Sequence, residues 1–329
     1  MLVEQVQADR MILEDLLVSI QRDMGLVVHE AASIRRGWLN LKWKLETDQG
    51  TYLLKQYNRE RFKLYDEEEL LMAFSQQIRL RSRGVKCPAL LTNEGRYFLK
   101  SDQGERFMVM EFCEGQLVAP GETNANQIRA LGREIGFMHR ILNDGSLGVK
   151  DKPQFIPPSR TERLGYWKRV MEEAAGSKLP EVLAALEAQY AATERFRDEI
   201  NPMQTGWAHR DVWVDNLLFR PAGVAAILDF DRLNYDYPQL DIARAVISCA
   251  LHSELDVSLV SAFMEGYREE REVPEGYLVQ GIRWLWYMES VWWVNAKLHE
   301  HQGPPARFAW EMDWLAKHLE GLPELLEPV

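Results

Sequence analysis

The pattern of the chain changes about a third of the way along it, and this change constrains the fold more than any other feature. Before Gly115, short segments rich in Val, Leu, Trp and Tyr are separated by turn residues such as Asp48-Gln49-Gly50, which is typical of antiparallel strands. After Gly115, apolar residues recur at helical spacing over long stretches, as at 125–142. The sequence therefore predicts an α+β, bilobal fold with a β-rich lobe at 1–114 and a mostly helical lobe at 115–329.

The N-terminal lobe is predicted to be an antiparallel sheet with one main helix. This helix lies at 65–83 and ends at Gly84, and an amphipathic helix at 4–22 precedes the sheet. In the C-terminal lobe, a loop and two short strands at 208–231 interrupt the helices. The predicted strands of the first lobe are 26–34, 39–46, 51–57, 89–92, 96–100 and 107–112.

Charge and composition argue against several classes of partner and several cellular locations. Its 39 Lys and Arg against 50 Asp and Glu give 39 − 50 = −11, and an acidic surface argues against nucleic acid or an anionic membrane as partner. The longest apolar stretches, such as 222–228, are too short to span a membrane, and the first residues lack the apolar core of a signal peptide. Three scattered cysteines form neither a disulfide framework nor a zinc site. The expected location is a reducing cytoplasm.

The clearest chemical pattern lies at 209–216, which reads H-R-D-x-x-x-x-N and is followed by an apolar strand ending at Asp229. Phosphoryl transfer requires a carboxylate that orients or deprotonates the attacking hydroxyl, and oxygen ligands that hold Mg²⁺ against the phosphates of ATP. Asp211 fits the first role, and Asn216 and Asp229 fit the second. His209 is better suited to organising the loop than to acting as a base.

This pattern resembles the aminoglycoside phosphotransferase and choline-kinase-like superfamily. The superfamily motif continues with an apolar strand ending in D-x-D or D-x-E, a turn containing proline, and D-[IL]-A-[RK]. Here these parts are Asp229 with Asp231, Pro238, and Asp241-Ile242-Ala243-Arg244. The resemblance covers most of the chain. Within the superfamily, the overall sequence is most similar to the bacterial spore-coat-associated kinase-like proteins (the CotS group). It implies a protein-kinase-like fold that binds ATP and Mg²⁺ and phosphorylates a hydroxyl of a small molecule.

The resemblance also implies the residues that bind the nucleotide. Lys55, in a predicted strand, would reach the α- and β-phosphates of ATP, although a solvent-exposed edge lysine is the alternative. Its carboxylate partner would be Glu67, because Glu67 shares the apolar face of the helix with Leu70. The alternative is that Glu67 and its two neighbouring glutamates are solvated and favour the helix dipole.

Residues 107–115 resemble the hinge of kinases. Met110 would lie at the back of the adenine pocket, and the backbone of Glu111 and Cys113 would bind the adenine edge. In the other lobe, Asp241 would accept backbone N–H groups of the catalytic loop. It is therefore expected to be structural.

Two departures from kinase patterns bear on function. The expected nucleotide loop, SIRRGWLN at 33–40, has one glycine in place of a glycine-rich loop, which favours a small-molecule kinase over a protein kinase. Asp231 replaces the glycine of D-F-G. It would either assist the metal through water or cap the next turn.

The sequence does not determine which acceptor the protein uses or whether it is an active enzyme. The run WLWYMESVWW at 284–293 lies where the superfamily builds its acceptor pocket, but aromatic residues at helical spacing usually pack in a core. Because the chain is acidic, a small cationic acceptor is expected. The alternative to an active kinase is a pseudokinase that serves as a structural component of a spore coat, with spore-coat proteins as partners. The combined presence of Lys55, Asp211, Asn216 and Asp229 favours catalysis.

Overall fold

The computed structural model describes residues 2–34, 40–176, 179–197, 204–327 and 329. The chain divides into two compact units. The first comprises Met1–Gln116 together with Ala225–Arg232, and the second comprises Leu117–Val224 together with Leu233–Val329. The predicted lobes, 1–114 and 115–329, differ from these units mainly in one respect. The segment Ala225–Arg232, which carries Asp229, belongs to the first unit.

A five-stranded antiparallel sheet forms the centre of the first unit, with the strand order β1-β2-β3-β5-β4. Its strands are β1 (Val28–Ser33), β2 (Lys42–Thr47), β3 (Gly50–Tyr57), β4 (Leu99–Lys100) and β5 (Arg106–Glu111). The described part of this unit also contains the helices α1 (Leu2–Met24), α2 (Arg59–Phe62) and α3 (Glu67–Ser82).

The two faces of this sheet bury different partners because side chains alternate along each strand. On one face, Leu54 of β3 belongs to a core that includes Leu16 of α1. On the other face, Tyr57 of β3 packs with Phe74 of α3. Lys55 is two residues from Tyr57, so the alternation places its side chain on the same face as Tyr57 and α3.

Two predicted strands are shorter than expected. The segment predicted at 96–100 forms a strand only at Leu99–Lys100, and the one predicted at 89–92 makes an isolated bridge between Leu90 and Met110. Pro88 precedes the second segment and a turn at 93–95 follows it. These breaks leave few residues that can extend a ladder of backbone hydrogen bonds.

The described part of the second unit is mainly helical. Its helices are α4 (Ala125–Leu142), α5 (Arg160–Ala174), α6 (Pro180–Arg195), α7 (Pro238–Ala250), α8 (Val257–Arg268), α9 (Tyr277–Trp293), α10 (Pro304–His318) and α11 (Leu322–Leu325). Its strands are β6 (Gly206–Ala208), β7 (Leu217–Arg220) and β9 (Asn234–Asp236), and β6 pairs antiparallel with β9. Strand β8 (Gly223–Ile227) begins in this unit and continues into the segment Ala225–Arg232 of the first unit. A β-rich unit and a helical unit confirm the predicted α+β class. None of the helices among the described residues has the length and apolar character that a membrane-spanning segment requires.

Helices α4 and α8 approach each other closely because each carries a glycine at their contact. A Cβ atom on Gly132 would lie 2.0 Å from the carbonyl oxygen of Phe263, and one on Gly266 would lie 2.0 Å from the carbonyl oxygen of Arg129. No side chain fits at either position without a backbone shift. This packing fixes α4, which contributes His139 to the site described next.

Candidate active site

The loop at 209–216 is held by a carboxylate from the first turn of α7. Oδ2 of Asp241 accepts the backbone N–H of His209 at 2.7 Å, and Oδ1 accepts the backbone N–H of Arg210 at 2.7 Å. Arg210 has a φ angle of 68°, a left-handed conformation that is costly for a residue with a side chain. The two hydrogen bonds stabilise this conformation, and they are the contacts predicted for Asp241.

Asp241 also contacts a buried histidine of α4. Nε2 of His139 lies 3.1 Å from Oδ2 of Asp241, and Nδ1 lies 3.1 Å from the hydroxyl of Tyr267. Burial lowers the pKa of His139, and the opposing effect of Asp241 does not cancel it. A neutral ring that donates from Nε2 to the carboxylate and accepts at Nδ1 from the hydroxyl satisfies all three groups. His139 therefore orients Asp241 on the side facing α4.

The carboxylate of Asp211 has a fixed orientation. Nδ2 of Asn216 donates to Oδ2 of Asp211 at 3.0 Å and to its backbone oxygen at 2.9 Å. Because both partners are acceptors, the amide nitrogen of Asn216 must face them, and its oxygen points elsewhere. Nδ1 of the buried His209 accepts the backbone N–H of Asp211 at 3.2 Å, which agrees with the predicted organising role of His209. A positioned, partly exposed carboxylate is suited to accept a proton from a hydroxyl.

Asp236 forms an ion pair beside this loop that the sequence did not predict. Nε of Arg210 donates to Oδ2 of Asp236 at 2.6 Å, and the Arg210 guanidinium lies 4.6 Å from the ring centroid of Phe155. Burial raises the pKa of Asp236 to about 6, although the charge of Arg210 acts in the opposite direction. Asp236 was visible only as an acidic residue after the motif, and nothing in the spacing indicated its ion pair.

In the first unit, Lys55 is buried between two carboxylates. Its Nζ lies 2.8 Å from Oδ1 of Asp229 and 2.7 Å from Oδ2 of Asp231. Burial alone would lower the pKa of Lys55, but the two carboxylates outweigh it and raise the pKa. The hydroxyl of Tyr57 donates to Oδ1 of Asp231 at 2.9 Å. The lysine is therefore a buried, charged group and not an exposed edge residue.

The prediction that Glu67 is the partner of Lys55 is wrong in this structure. Glu67 is exposed, and its carboxylate lies 3.3 Å from Nη2 of Arg106. Asp66 caps α3, so Glu67 is the first residue of the helix and lies at its exposed N-terminal end. The carboxylate of Asp231 binds Lys55 and Tyr57, which is a role that neither of the two alternatives for Asp231 included. The D-x-D spacing was the sequence signal that could have identified it.

The segment predicted to be the hinge ends strand β5. Met110 is buried in the core with Phe74, and the N–H of Glu111 donates to the carbonyl oxygen of Ala89 at 2.8 Å. An adenine contact at Glu111 would therefore have to use its carbonyl oxygen. Burial raises the pKa of the Cys113 thiol to about 11, so the thiol is uncharged at neutral pH. Residues 35–39 of the predicted nucleotide loop at 33–40 lie outside the described residues.

A cavity of about 50 Å³ lies in the second unit beside the 209–216 loop. Its lining includes Arg210 and Asp236, together with Glu289 and Trp292 of α9. Within the aromatic run of α9, Trp284 and Trp286 are buried, whereas Trp292 is 44% exposed. The run therefore serves mainly as helix core, as the packing alternative held, and one of its tryptophans contributes to a cavity wall.

A buried lysine with two carboxylate partners, on an antiparallel sheet, and an ordered H-R-D-x-x-x-x-N loop in a helical unit define a kinase-like phosphotransferase. The chain belongs to the phosphotransferase enzyme family (APH), whose family model matches residues 30–277. The match covers more than half of the chain and includes Lys55, Asp211, Asn216, Asp229 and Asp241.

Relatives and solved structures agree with this assignment. The chain is 25% identical to the homoserine kinase of Rhodopseudomonas palustris (strain BisB18) over 72% of this chain and 69% of the relative. It is 24% identical to the homoserine kinase of Gluconobacter oxydans (strain 621H) over 77% of each chain. Its fold is similar to a spectinomycin phosphotransferase solved with ADP and spectinomycin, with a TM-score of 0.62, 12% identity and coverage of 93% and 98%. It is also similar to a microcompartment-associated aminopropanol kinase, with a TM-score of 0.61, 18% identity and coverage of 94% and 98%. The resemblance to spore-coat-associated proteins stays a prediction.

Proposed function

We propose that this protein transfers the γ-phosphoryl group of ATP, with Mg²⁺, to the hydroxyl of a small amino alcohol, and that homoserine is the first acceptor to test. The observation that carries the proposal is the fixed carboxylate of Asp211, held by Asn216 in a loop that Asp241 stabilises. In phosphoryl transfer the protein mainly positions the nucleophile and stabilises charge, and an aspartate of such a loop accepts the proton of the attacking hydroxyl. Asp211 is the proposed catalytic base.

The remaining candidate residues have the chemistry that ATP and Mg²⁺ require. Lys55 offers a compact positive charge for the α- and β-phosphates. Asn216 uses its amide nitrogen on Asp211, so its oxygen is the atom suited to a metal, and Asp229 supplies a carboxylate. Mg²⁺ is commonly held by one or two such oxygens together with nucleotide phosphates, whose charge it neutralises. The proposed adenine contacts are Met110, the Glu111 carbonyl and the Cys113 backbone.

The cavity beside the loop supports a small acceptor with a positive charge. Its acidic side chains are Asp236, Asp241 and Glu289, and its basic side chains are Arg210 and Arg244. The three acidic groups exceed the two basic ones by one, and the charge of Arg244 is already compensated by Glu289 and Glu311. An ammonium group is therefore favoured over an additional anion.

Size and aromatic surface point to the same acceptor class. A volume of about 50 Å³ has room for a few water-sized groups, which suits a short amino alcohol better than an aminoglycoside. The exposed ring of Trp292, whose centroid lies 4.9 Å from that of Phe155, offers a face for an ammonium group. Homoserine and aminopropanol, the substrates in the names of the relatives, are both amino alcohols.

The test is a deletion series of acceptors assayed for ADP release, with the phosphorylated product identified by ³¹P NMR. L-homoserine carries an ammonium and a carboxylate, 3-amino-1-propanol lacks the carboxylate, 4-hydroxybutyrate lacks the ammonium, and 1-propanol lacks both. We expect kcat/KM to fall at least about tenfold when the ammonium is removed, because a hydrogen bond to a charged group contributes about 1.5–3 kcal/mol. Removing the carboxylate should have a smaller effect.

Two outcomes would contradict the proposal in different ways. Equal rates for 3-amino-1-propanol and 1-propanol would refute amino alcohols as the acceptor class, whereas the proposal of kinase activity would stand. Absence of both nucleotide binding and ADP release with every acceptor would favour the non-catalytic scaffold. Asp211→Asn, assayed with the best acceptor, controls for contaminating kinases.

A further inference from the structure

We infer that Asp231, and not Glu67 of α3, is the positioning residue that holds Lys55 for the nucleotide. The inference rests on the proposed function because it treats Lys55 as the phosphate-binding lysine. It goes beyond that function by assigning a role to a carboxylate two residues after the candidate metal ligand.

Both oxygens of the Asp231 carboxylate have a donor. Oδ2 lies 2.7 Å from Nζ of Lys55, and Oδ1 accepts the hydroxyl of Tyr57 at 2.9 Å. The side chains of Lys55 and Asp231 are 3% and 5% exposed, whereas that of Asp229 is 25% exposed. Asp231 is therefore the inner and fully engaged partner of the lysine, and Asp229 is the outer one.

Tyr57 gives Asp231 a rigid support. Alternation along β3 places Tyr57 on the same face as Lys55, and Nζ of Lys55 lies 4.9 Å from the centroid of its ring. The ring of Tyr57 packs edge-on against Phe98 at 5.1 Å and against Phe74 at 6.4 Å. The hydroxyl that donates to Asp231 is thus fixed by the core of the first unit.

The two aspartates can therefore serve different functions. The ammonium of Lys55 has three N–H donors, and Asp229 and Asp231 each receive one. If Asp229 turns to a metal, as proposed, Asp231 still compensates the charge of the buried lysine. A buried ammonium without such a partner would be unfavourable. Without Asp231, Lys55 would retain Asp229 and compete with the metal for it.

Helix α3 has no comparable contact through Glu67. The side chain of Glu67 is 52% exposed and its carboxylate lies 3.3 Å from Arg106. Glu67→Gln is therefore a matched control, since it also converts a carboxylate into an amide, at the first residue of α3. It leaves the contacts of Lys55 unchanged.

The experiment measures how much Mg²⁺ is needed for ADP to raise the melting temperature, in the full-length protein. We expect Asp231→Asn to raise the half-maximal Mg²⁺ concentration at least about tenfold, and Glu67→Gln to leave it within about twofold. Tyr57→Phe, which removes only the hydroxyl, should give a smaller increase in the same direction. If Asp231→Asn does not fold, Tyr57→Phe is used in its place to test the inference.

A double-mutant cycle separates positioning from general stability. In a Lys55→Met background, Asp231→Asn should no longer change the Mg²⁺ requirement, because Lys55 no longer competes with the metal for Asp229. Lys42, whose Nζ lies 3.9 Å from Oδ2 of Asp229, is present in both backgrounds and so does not affect the comparison. Equal effects of Asp231→Asn in both backgrounds, or equal behaviour of Asp231→Asn and Glu67→Gln, would overturn the inference alone. If the wild-type protein shows no shift with ADP and Mg²⁺, the proposed function fails and the inference fails with it.

Discussion

The backbone N–H of Arg210 donates a hydrogen bond of 2.7 Å to Oδ1 of Asp241, and Arg210 holds a left-handed conformation. Single residues in such conformations cost about 1–3 kcal/mol and persist where the surroundings stabilise them. Here the stabilising group lies 31 residues further along the chain, at the start of α7. This relationship connects the stability of the second unit to the shape of the loop that carries Asp211.

Replacing Asp241 should lower stability and activity together. Asp241→Ala leaves the N–H groups of His209 and Arg210 without an acceptor, at about 1–3 kcal/mol for each buried donor. Urea unfolding and the phosphoryl-transfer assay would measure the two effects. The matched control is Asp256→Ala, since Asp256 also accepts two backbone N–H groups at a helix start, from Ser258 and Leu259 of α8. That variant should lose about 0.5–2 kcal/mol and retain its kcat. Normal melting and activity of Asp241→Ala would refute the role.

Replacing Asp211 should stop turnover without unfolding the protein. Asp211→Asn keeps the shape of the side chain but cannot accept a proton, so kcat should fall about 10²- to 10⁴-fold. Nucleotide binding, measured by the ADP-induced change in melting temperature, should stay normal. Asp215→Asn, an exposed position on the same loop, serves as the control and should keep its activity. Near-normal turnover by Asp211→Asn would exclude Asp211 as the base.

Replacing Asp229 should remove the dependence of nucleotide binding on Mg²⁺. Asp229→Ala deletes a proposed metal ligand and leaves Lys55 with Asp231, so ADP should bind equally with and without Mg²⁺. Calorimetric titration of ADP in both conditions measures this. Asp211→Asn should retain the dependence, because that carboxylate is assigned to the acceptor side. A full Mg²⁺ effect in Asp229→Ala would show that the metal uses other ligands.

The raised pKa of Asp236 predicts a specific dependence of stability on pH. In the unfolded chain this carboxyl ionises near 3.8, whereas in the folded protein it keeps its proton up to about 6. The folded state therefore binds more protons in this window, and the free energy of unfolding should fall as the pH rises from about 4 to about 6. The loss is at most about 3 kcal/mol.

Asp236→Asn should remove the fall in the free energy of unfolding between about pH 4 and about pH 6. The substitution also weakens the ion pair with Arg210. Urea unfolding of both proteins across the window measures the difference. Asp256→Asn is a control of opposite sign, because hydrogen bonding from Ser258 lowers the pKa of Asp256. Its pH profile should differ from the wild type only below about pH 4. Parallel profiles for the wild type and Asp236→Asn would contradict the raised pKa.

The sequence predicted best where local patterns are strong. The helix expected at 125–142 is present as Ala125–Leu142, because a capping residue precedes it and apolar residues mark one face throughout. The family resemblance also implied that Asp241 accepts backbone N–H groups of the loop, and the structure has these contacts. Strands at 89–92 and 96–100 were predicted less well because short segments depend on their neighbours for pairing.

The carboxylate that binds Lys55 could not be predicted from local sequence patterns. Glu67 and Asp231 are both acidic, and the helical face favoured Glu67. The choice between them depends on the packing of Ala225–Arg232 into the first unit, which brings Asp231 to a lysine 176 residues earlier in the chain. Such pairings arise from the fold as a whole and leave no periodic signal in the sequence.

The sequence alone determined the α+β class, the kinase-like pattern of the 209–216 loop and the set of residues from which a kinase site could be built. Those features rest on residue type, spacing and hydrophobic periodicity, which act over a few residues. Only the tertiary structure decided that Asp231 holds Lys55, that Asp236 binds Arg210, and that Trp292 lines a cavity while Trp286 is buried. Burial and ion pairing depend on which distant segments pack together, and the resulting desolvation determines the charge and accessibility of each side chain.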